Sequence, residues 1–124
     1  MEDLQCQCSC KNIKFSVPYR PNEIAQCYCT ICRRLHRKIF VSFAKYDKKQ
    51  ISLDFNKMKF IKSSTRAIRY KCSNCNDWIC MIYNDSDNIW LEVDRFLFSC
   101  IDIETYSIYE DEIKSNDTTC RISK

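Results

Sequence analysis

Cys27-Tyr28-Cys29-Thr30-Ile31-Cys32-Arg33-Arg34 sets three thiols within six residues and follows them at once with two cations. Cysteines at such spacing present their sulfurs to one soft metal without straining the backbone, and zinc takes thiolates at ~2.3 Å in a tetrahedron. A few residues downstream, Ile39-Phe40-Val41-Ser42-Phe43-Ala44 is rich in β-branched and aromatic side chains and reads as a strand. The intervening Arg33 to Lys38 is short and basic, a poor prospect for a stable helix. The stretch therefore predicts a metal cluster at a connection between strands.

Two further cysteine groups flank it: Cys8-Ser9-Cys10 and Cys72-Ser73-Asn74-Cys75. Seven clustered thiols imply two zinc ions. Spacing alone also allows a scheme in which Cys29/Cys32 and Cys72/Cys75 close one ribbon-like site, but this leaves Cys8, Cys10 and Cys27 without a role.

Short strands recur along the chain. Ile13 to Val17 alternates apolar and polar residues and is ended by Pro18 and Pro21; Met58–Lys62, Ala67–Lys71, Trp78–Tyr83 and Ile89–Val93 continue the series. No long segment has helical periodicity, which predicts a mainly β fold of short antiparallel strands, with any helix short and near the second cluster or the C-terminus. Asn74 and Asn76 place the third cluster at a hairpin tip, as in a zinc knuckle. Glycine is absent, so turns that need positive φ fall to asparagine, with Asn12, Asn74, Asn76, Asn84 and Asn88 as the stand-ins.

With 124 residues, 45% hydrophobic and 29% charged, the chain reads as one globular domain, 1–124, with a peripheral tail after about residue 112. No apolar run approaches the ~18 residues of a membrane span. The acidic start Met1-Glu2-Asp3 is unlike a secretory signal, which predicts a cytoplasmic protein, with the nucleus as the alternative compartment. A reducing compartment makes eleven cysteines mean metal ligands more readily than a disulfide scaffold. The net charge of +4 gathers at Arg33, Arg34, Arg37 and Lys38, a patch that a solvated face explains better than nucleic acid.

These motifs together resemble the glutathione-dependent formaldehyde-activating enzymes, whose domain is shared with centromere protein V. Cys8-Ser9-Cys10-Lys11-Asn12-Ile13-Lys14-Phe15 is similar to the family's C-x-C-G-x-V-x-F, the central block to C-H-C-x-x-C-R-R, and Ser63-Ser64 with Arg69 to Asn76 to S-S…R-x-F-C-x-x-C-G. The departures are Tyr28 in place of a histidine, Asn76 in place of a glycine, and Ser107 in the place of the histidine in a closing H-I-x-x-E/D segment.

The resemblance implies a β-tent fold with zinc knuckles, a structural zinc on Cys8, Cys10, Cys72 and Cys75, and a second zinc on Cys27, Cys29 and Cys32. Four thiolates close a tetrahedron, whereas three leave one position for water or substrate. The implied activity is that of a carbon–sulfur lyase that joins glutathione to formaldehyde as S-hydroxymethylglutathione, or cleaves a related small thiol adduct, with Arg33 and Arg34 facing the thiol's carboxylates. The alternative is a non-catalytic zinc scaffold for a protein or nucleic acid partner, in which Cys6, Cys80 or His36 closes the second site. His36 otherwise reads as a surface residue, and Cys80, Cys100 and Cys120 as ordinary thiols.

Overall fold

The structure, a computed structural model, describes residues 3–109. Cys120 and the tail after residue 112 lie outside the described residues. Among the described residues nine strands and one α-helix form the fold: β1 (Leu4–Gln7), β2 (Lys14–Val17), β3 (Glu23–Cys27), α1 (Thr30–His36), β4 (Val41–Asp47), β5 (Met58–Lys62), β6 (Ala67–Cys72), β7 (Trp78–Tyr83), β8 (Asn88–Glu92) and β9 (Glu104–Ile108). The mainly β fold expected from the alternating segments is what the chain adopts.

β1 and β2 make an antiparallel hairpin, and the other seven strands form one sheet in the order β5-β6-β7-β8-β4-β3-β9. Neighbours in this sheet are antiparallel except β3 and β9, which run parallel from Glu23↔Glu104 to Cys27↔Ile108.

Because side chains alternate along a strand, the register sorts the large sheet into two faces. Ala44, Leu91 and Cys80 are successive partners and share one face with Tyr46 and Ile89. The β1–β2 hairpin covers this face, packing Cys6, Phe15 and Val17 on it as the larger core. On the opposite face Lys45, Trp90, Met81 and Arg69 are successive partners. There Val41, Phe43, Ala67 and Met81 form a second core with Cys27, Cys29 and Cys32. Each fully buried aliphatic side chain in these cores contributes ~1.5–3 kcal/mol.

The short helix expected near the second cluster is present, and two expectations need correction. The segment after the central cysteines is helical, because Cys29 is the N-cap, its sulfur accepting the Cys32 N–H, and Arg37 in the left-handed region closes the other end by donating its N–H to the Arg33 carbonyl. Arg33, Arg34 and His36 lie in the last turn, where positive charge suits the exposed carbonyls. The strand expected over Ile39–Ala44 begins only at Val41 and runs on to Asp47; Ile39 itself is 73% exposed.

Among the described residues, positive φ falls at Lys11, Arg37, Asn76 and Tyr109, so Asn76 is the one asparagine of the five that takes a glycine's conformation. Asn84 serves its turn differently, donating its side-chain amide to the Thr65 carbonyl at 2.9 Å.

Candidate metal centres

The first cluster is assembled from two turns. Between β1 and β2 the Lys11 N–H donates to the Cys8 carbonyl at 3.0 Å, with Lys11 left-handed, and the Ile13 N–H donates to Cys8 Sγ at 3.3 Å. Between β6 and β7 the Asn74 and Cys75 N–H groups point at Cys72 Sγ from 3.4 and 3.5 Å, while the Asn76 N–H closes the turn on the Cys72 carbonyl. Backbone donors aimed at sulfur favour the thiolate that a metal needs.

Asp77 locks the two turns together. Its carboxylate accepts the Ser9 N–H at 2.7 Å and pairs with Arg95, just beyond β8.

The sulfurs of Cys8, Cys10, Cys72 and Cys75 all lie within 4.8 Å of one another, with Cys8–Cys10 at 3.6 Å and Cys10–Cys72 at 3.7 Å. A tetrahedron of ~2.3 Å metal–sulfur bonds has edges of about 3.8 Å. The four sulfurs thus fit a closed tetrathiolate. Hydrogen bonding from the Asn74 side chain first, and from the backbone at Asn12, brings the Cys10 thiol down to about 6.

The second cluster belongs to the other face. Cys27 ends β3, Cys29 caps α1 and Cys32 lies in its first turn, so a strand end and a helix start hold all three. Their sulfurs are within 4.8 Å of one another, Cys27 and Cys32 being 3.1 Å apart. All three residues are buried. Hydrogen bonds from the Cys27 and Cys32 thiols, and from the Cys32 N–H, hold Cys29 far below the usual thiol range, while the same contact with Cys29 pushes Cys27 up. Metal binding to such a cluster requires its thiols to lose their protons.

Among the described residues no fourth histidine, cysteine or carboxylate joins this trio. Cys6 and Cys80 pack in the core on the opposite face, and burial drives both thiols up, Cys6 to about 12. His36 is not the surface residue expected: its side chain is 3% exposed, with Nε2 3.3 Å from Arg69 Nη1 and Nδ1 3.2 Å from Glu92 without hydrogen-bond alignment.

A cleft opens beside Cys29, walled by Ile31, Ser63, Ser64, Arg66, Arg69, Tyr83 and Tyr109. Ser63 and Ser64 shape the β5–β6 turn, Ser64 Oγ accepting the Arg66 N–H at 3.2 Å. The cations on this wall come from β6 and the turn before it. Of the two arginines picked out in the sequence, Arg33 donates its Nε–H to the Tyr28 carbonyl at 2.9 Å, and Arg34 is exposed on α1. Tyr28, where a histidine was expected, stacks obliquely on Phe40 with ring centres 5.1 Å apart.

Arg69 is the residue that alternation hides. Read along β6 it is a polar position between apolar ones, yet it is 3% exposed and donates from Nη2 to Cys32 Sγ at 3.1 Å. Glu92, 4% exposed, ends β8 on the same face. The register β6–β7–β8 is what brings them under α1.

The family model for the glutathione-dependent formaldehyde-activating enzyme matches residues 3–95, a span that includes both cysteine clusters and the β5–β6 turn. The chain belongs to that family. A relative from Schizosaccharomyces pombe, named an uncharacterized lyase, is 26% identical over 106 residues, covering 86% of this chain and 76% of its own length. The fold is shared with the crystal structure of a Rhodobacter sphaeroides protein at a TM-score of 0.67, 13% identity, 83% coverage of this chain and 100% of that one. The described residues contain no helix long and apolar enough to cross a membrane.

Proposed function

We propose that the chain is a zinc-dependent carbon–sulfur lyase of the formaldehyde-activating type, acting on the adduct of glutathione, or a similar small thiol, with formaldehyde. The observation that carries this reading is the three-sulfur cluster beside a cationic cleft, without a fourth protein donor among the described residues. Cys8, Cys10, Cys72 and Cys75 hold a structural zinc in this proposal, and Cys27, Cys29 and Cys32 a second one, giving two ions per chain.

Zinc in a trithiolate site supplies a vacant position that binds a thiol and favours its thiolate form. The protein's own part is placement. β3 and α1 hold the three sulfurs together, with Cys29 at the cleft, Arg66 offers a guanidinium for a carboxylate of the thiol, and Arg33 and Arg34 add positive potential from the helix. The hydroxyls of Ser63, Ser64 and Tyr83 are available to orient the polar backbone of a peptide-like thiol. Packing of Ile31 and Met81 at the cleft limits water near the sulfurs.

In the non-catalytic alternative Cys6, Cys80 or His36 closes the trio; Cys6 and Cys80 pack in the other core, and His36 faces Arg69 and Glu92. Zinc-loaded protein mixed with glutathione and formaldehyde tests the enzymatic reading by NMR: faster exchange between free formaldehyde and S-hydroxymethylglutathione than in buffer is the expected result. An exchange rate equal to that of buffer, in protein shown to hold two metals, overturns it.

A further inference from the structure

We infer that Arg69 is a positioning residue that acts as the built-in counter-ion of the three-cysteine site, held in place by His36 and Glu92, and that it sets how tightly this site keeps its metal. The inference rests on the metal-binding part of the reading above and not on turnover.

Three thiolates around a dication leave one net negative charge, and here Cys27, Cys29 and Cys32 are buried with it. A buried charge needs a paired, hydrogen-bonded partner. Arg69 is the guanidinium in position: Nη2 donates to Cys32 Sγ at 3.1 Å and Nη1 is 3.3 Å from His36 Nε2. Behind it His36 Nδ1 is 3.2 Å from Glu92, and Glu92 is met by Lys38 Nζ at 3.4 Å, with Lys38 paired in turn to Asp94 at the surface.

Such an arrangement is costly for a mere packing residue. The site places a nearly inaccessible arginine on a strand, sets His36 obliquely against Trp78 with ring centres 4.9 Å apart, and leaves Arg69 Nε without an acceptor among the described residues. Groups behind metal ligands fix the ligands' orientation and charge, and their loss weakens metal binding ~10–100-fold. By contrast, the four-cysteine site draws its donors, among the described residues, from backbone N–H groups and the Asn74 side chain, with no buried guanidinium among them, and packs Cys8 and Cys72 into the other core. The two metals should therefore respond differently to one substitution.

The test is metal release from the full-length, two-metal protein under chelator competition, with cobalt(II) replacing zinc for spectroscopy. Arg69→Met is expected to weaken retention at the three-cysteine site ~10–100-fold while the other site is unchanged. It should also move that site's sulfur-to-cobalt charge-transfer band to lower energy, since the Cys32 sulfur loses a donor. Arg69→Lys should recover part of both effects, and Glu92→Gln, which leaves Arg69 present but less firmly held, should give an intermediate loss. If Arg69→Met does not fold, the comparison of Glu92→Gln and Arg69→Lys with the parent decides. Parent-like retention and an unmoved band in folded variants overturn the inference, as does equal weakening of both sites. Because the readout is metal and not product, absence of turnover would overturn the enzymatic reading alone.

Discussion

Cys10 Sγ lies 3.7 Å from Cys72 Sγ although the two residues are 62 apart in sequence. This contact joins the β1–β2 hairpin to the β6–β7 turn, and with it the cover of the larger core to the sheet it covers. Structural zinc contributes on the order of 10 kcal/mol in small domains. Cys72→Ser is expected to lower the melting temperature far more than Cys29→Ser, and a strong chelator should abolish cooperative unfolding. Circular dichroism melts measure both; equal losses for the two variants would mean that both clusters bear the fold alike.

Asp77 carries an acid-dependent part of the same junction. Burial alone would raise its carboxyl, but hydrogen bonds from Ser9 and the charge of Arg95 prevail and hold it below the ordinary 3.8. A carboxyl lowered in the folded state contributes stability that is present above its unfolded pKa and is lost as pH falls through the folded value. Asp77→Asn should therefore be less stable than the parent at pH 7, and the gap should narrow below about pH 4. Paired thermal melts between pH 7 and 3 check this while cancelling the shared loss of metal.

Asn76 sits at φ 66° just after the knuckle, with its N–H on the Cys72 carbonyl at 2.9 Å. A β-branched residue there costs ~1–2 kcal/mol, whereas glycine takes this conformation freely. Asn76→Val is expected to lose about that much stability and Asn76→Gly to match or exceed the parent, as read by denaturant midpoints.

Thiol labelling should reveal the depth of the larger core. Cys6 and Cys80 are buried and their thiols are raised, mainly by burial, while Cys100 is only half-buried. In the zinc-loaded protein, iodoacetamide at pH 8 should modify Cys100 well before Cys6 or Cys80. Peptide mapping by mass spectrometry gives the order, and early labelling of Cys80 would contradict the packing of β7.

Arg66 is the exposed cation of the cleft wall. If it pairs with a substrate carboxylate, Arg66→Ala removes a charge-assisted contact of ~1.5–3 kcal/mol, and KM for the thiol adduct should rise about 10–100-fold with metal content intact. A change in kcat alone would place Arg66 in a different role.

Local chemistry made much of this protein legible in its sequence. The clustered cysteines are marked by spacing, their division into four and three by the family resemblance, β2 by alternation, and β5, β6, β7 and β8 as short apolar or aromatic segments between turn residues. Pairing made the rest illegible. β9 is defined by its parallel partnership with β3, from Cys27↔Ile108 backwards, and nothing within Glu104–Ile108 announces it. α1 is too short to show periodicity and owes its start to the Cys29 sulfur. Arg69 and Glu92 look like solvent-side residues until the register places them beneath that helix, facing its His36, because a polar residue facing a buried group has the same pattern as one facing water.

The ligands of the trio occupy one short local segment, whereas the four-cysteine set is incomplete until Cys75. In the direction of synthesis the trio therefore has all its sulfurs while Cys72 and Cys75 of the other set are still to come. On the proposed two-metal reading, the three-cysteine site is the one whose donors are complete before distant strands have to meet.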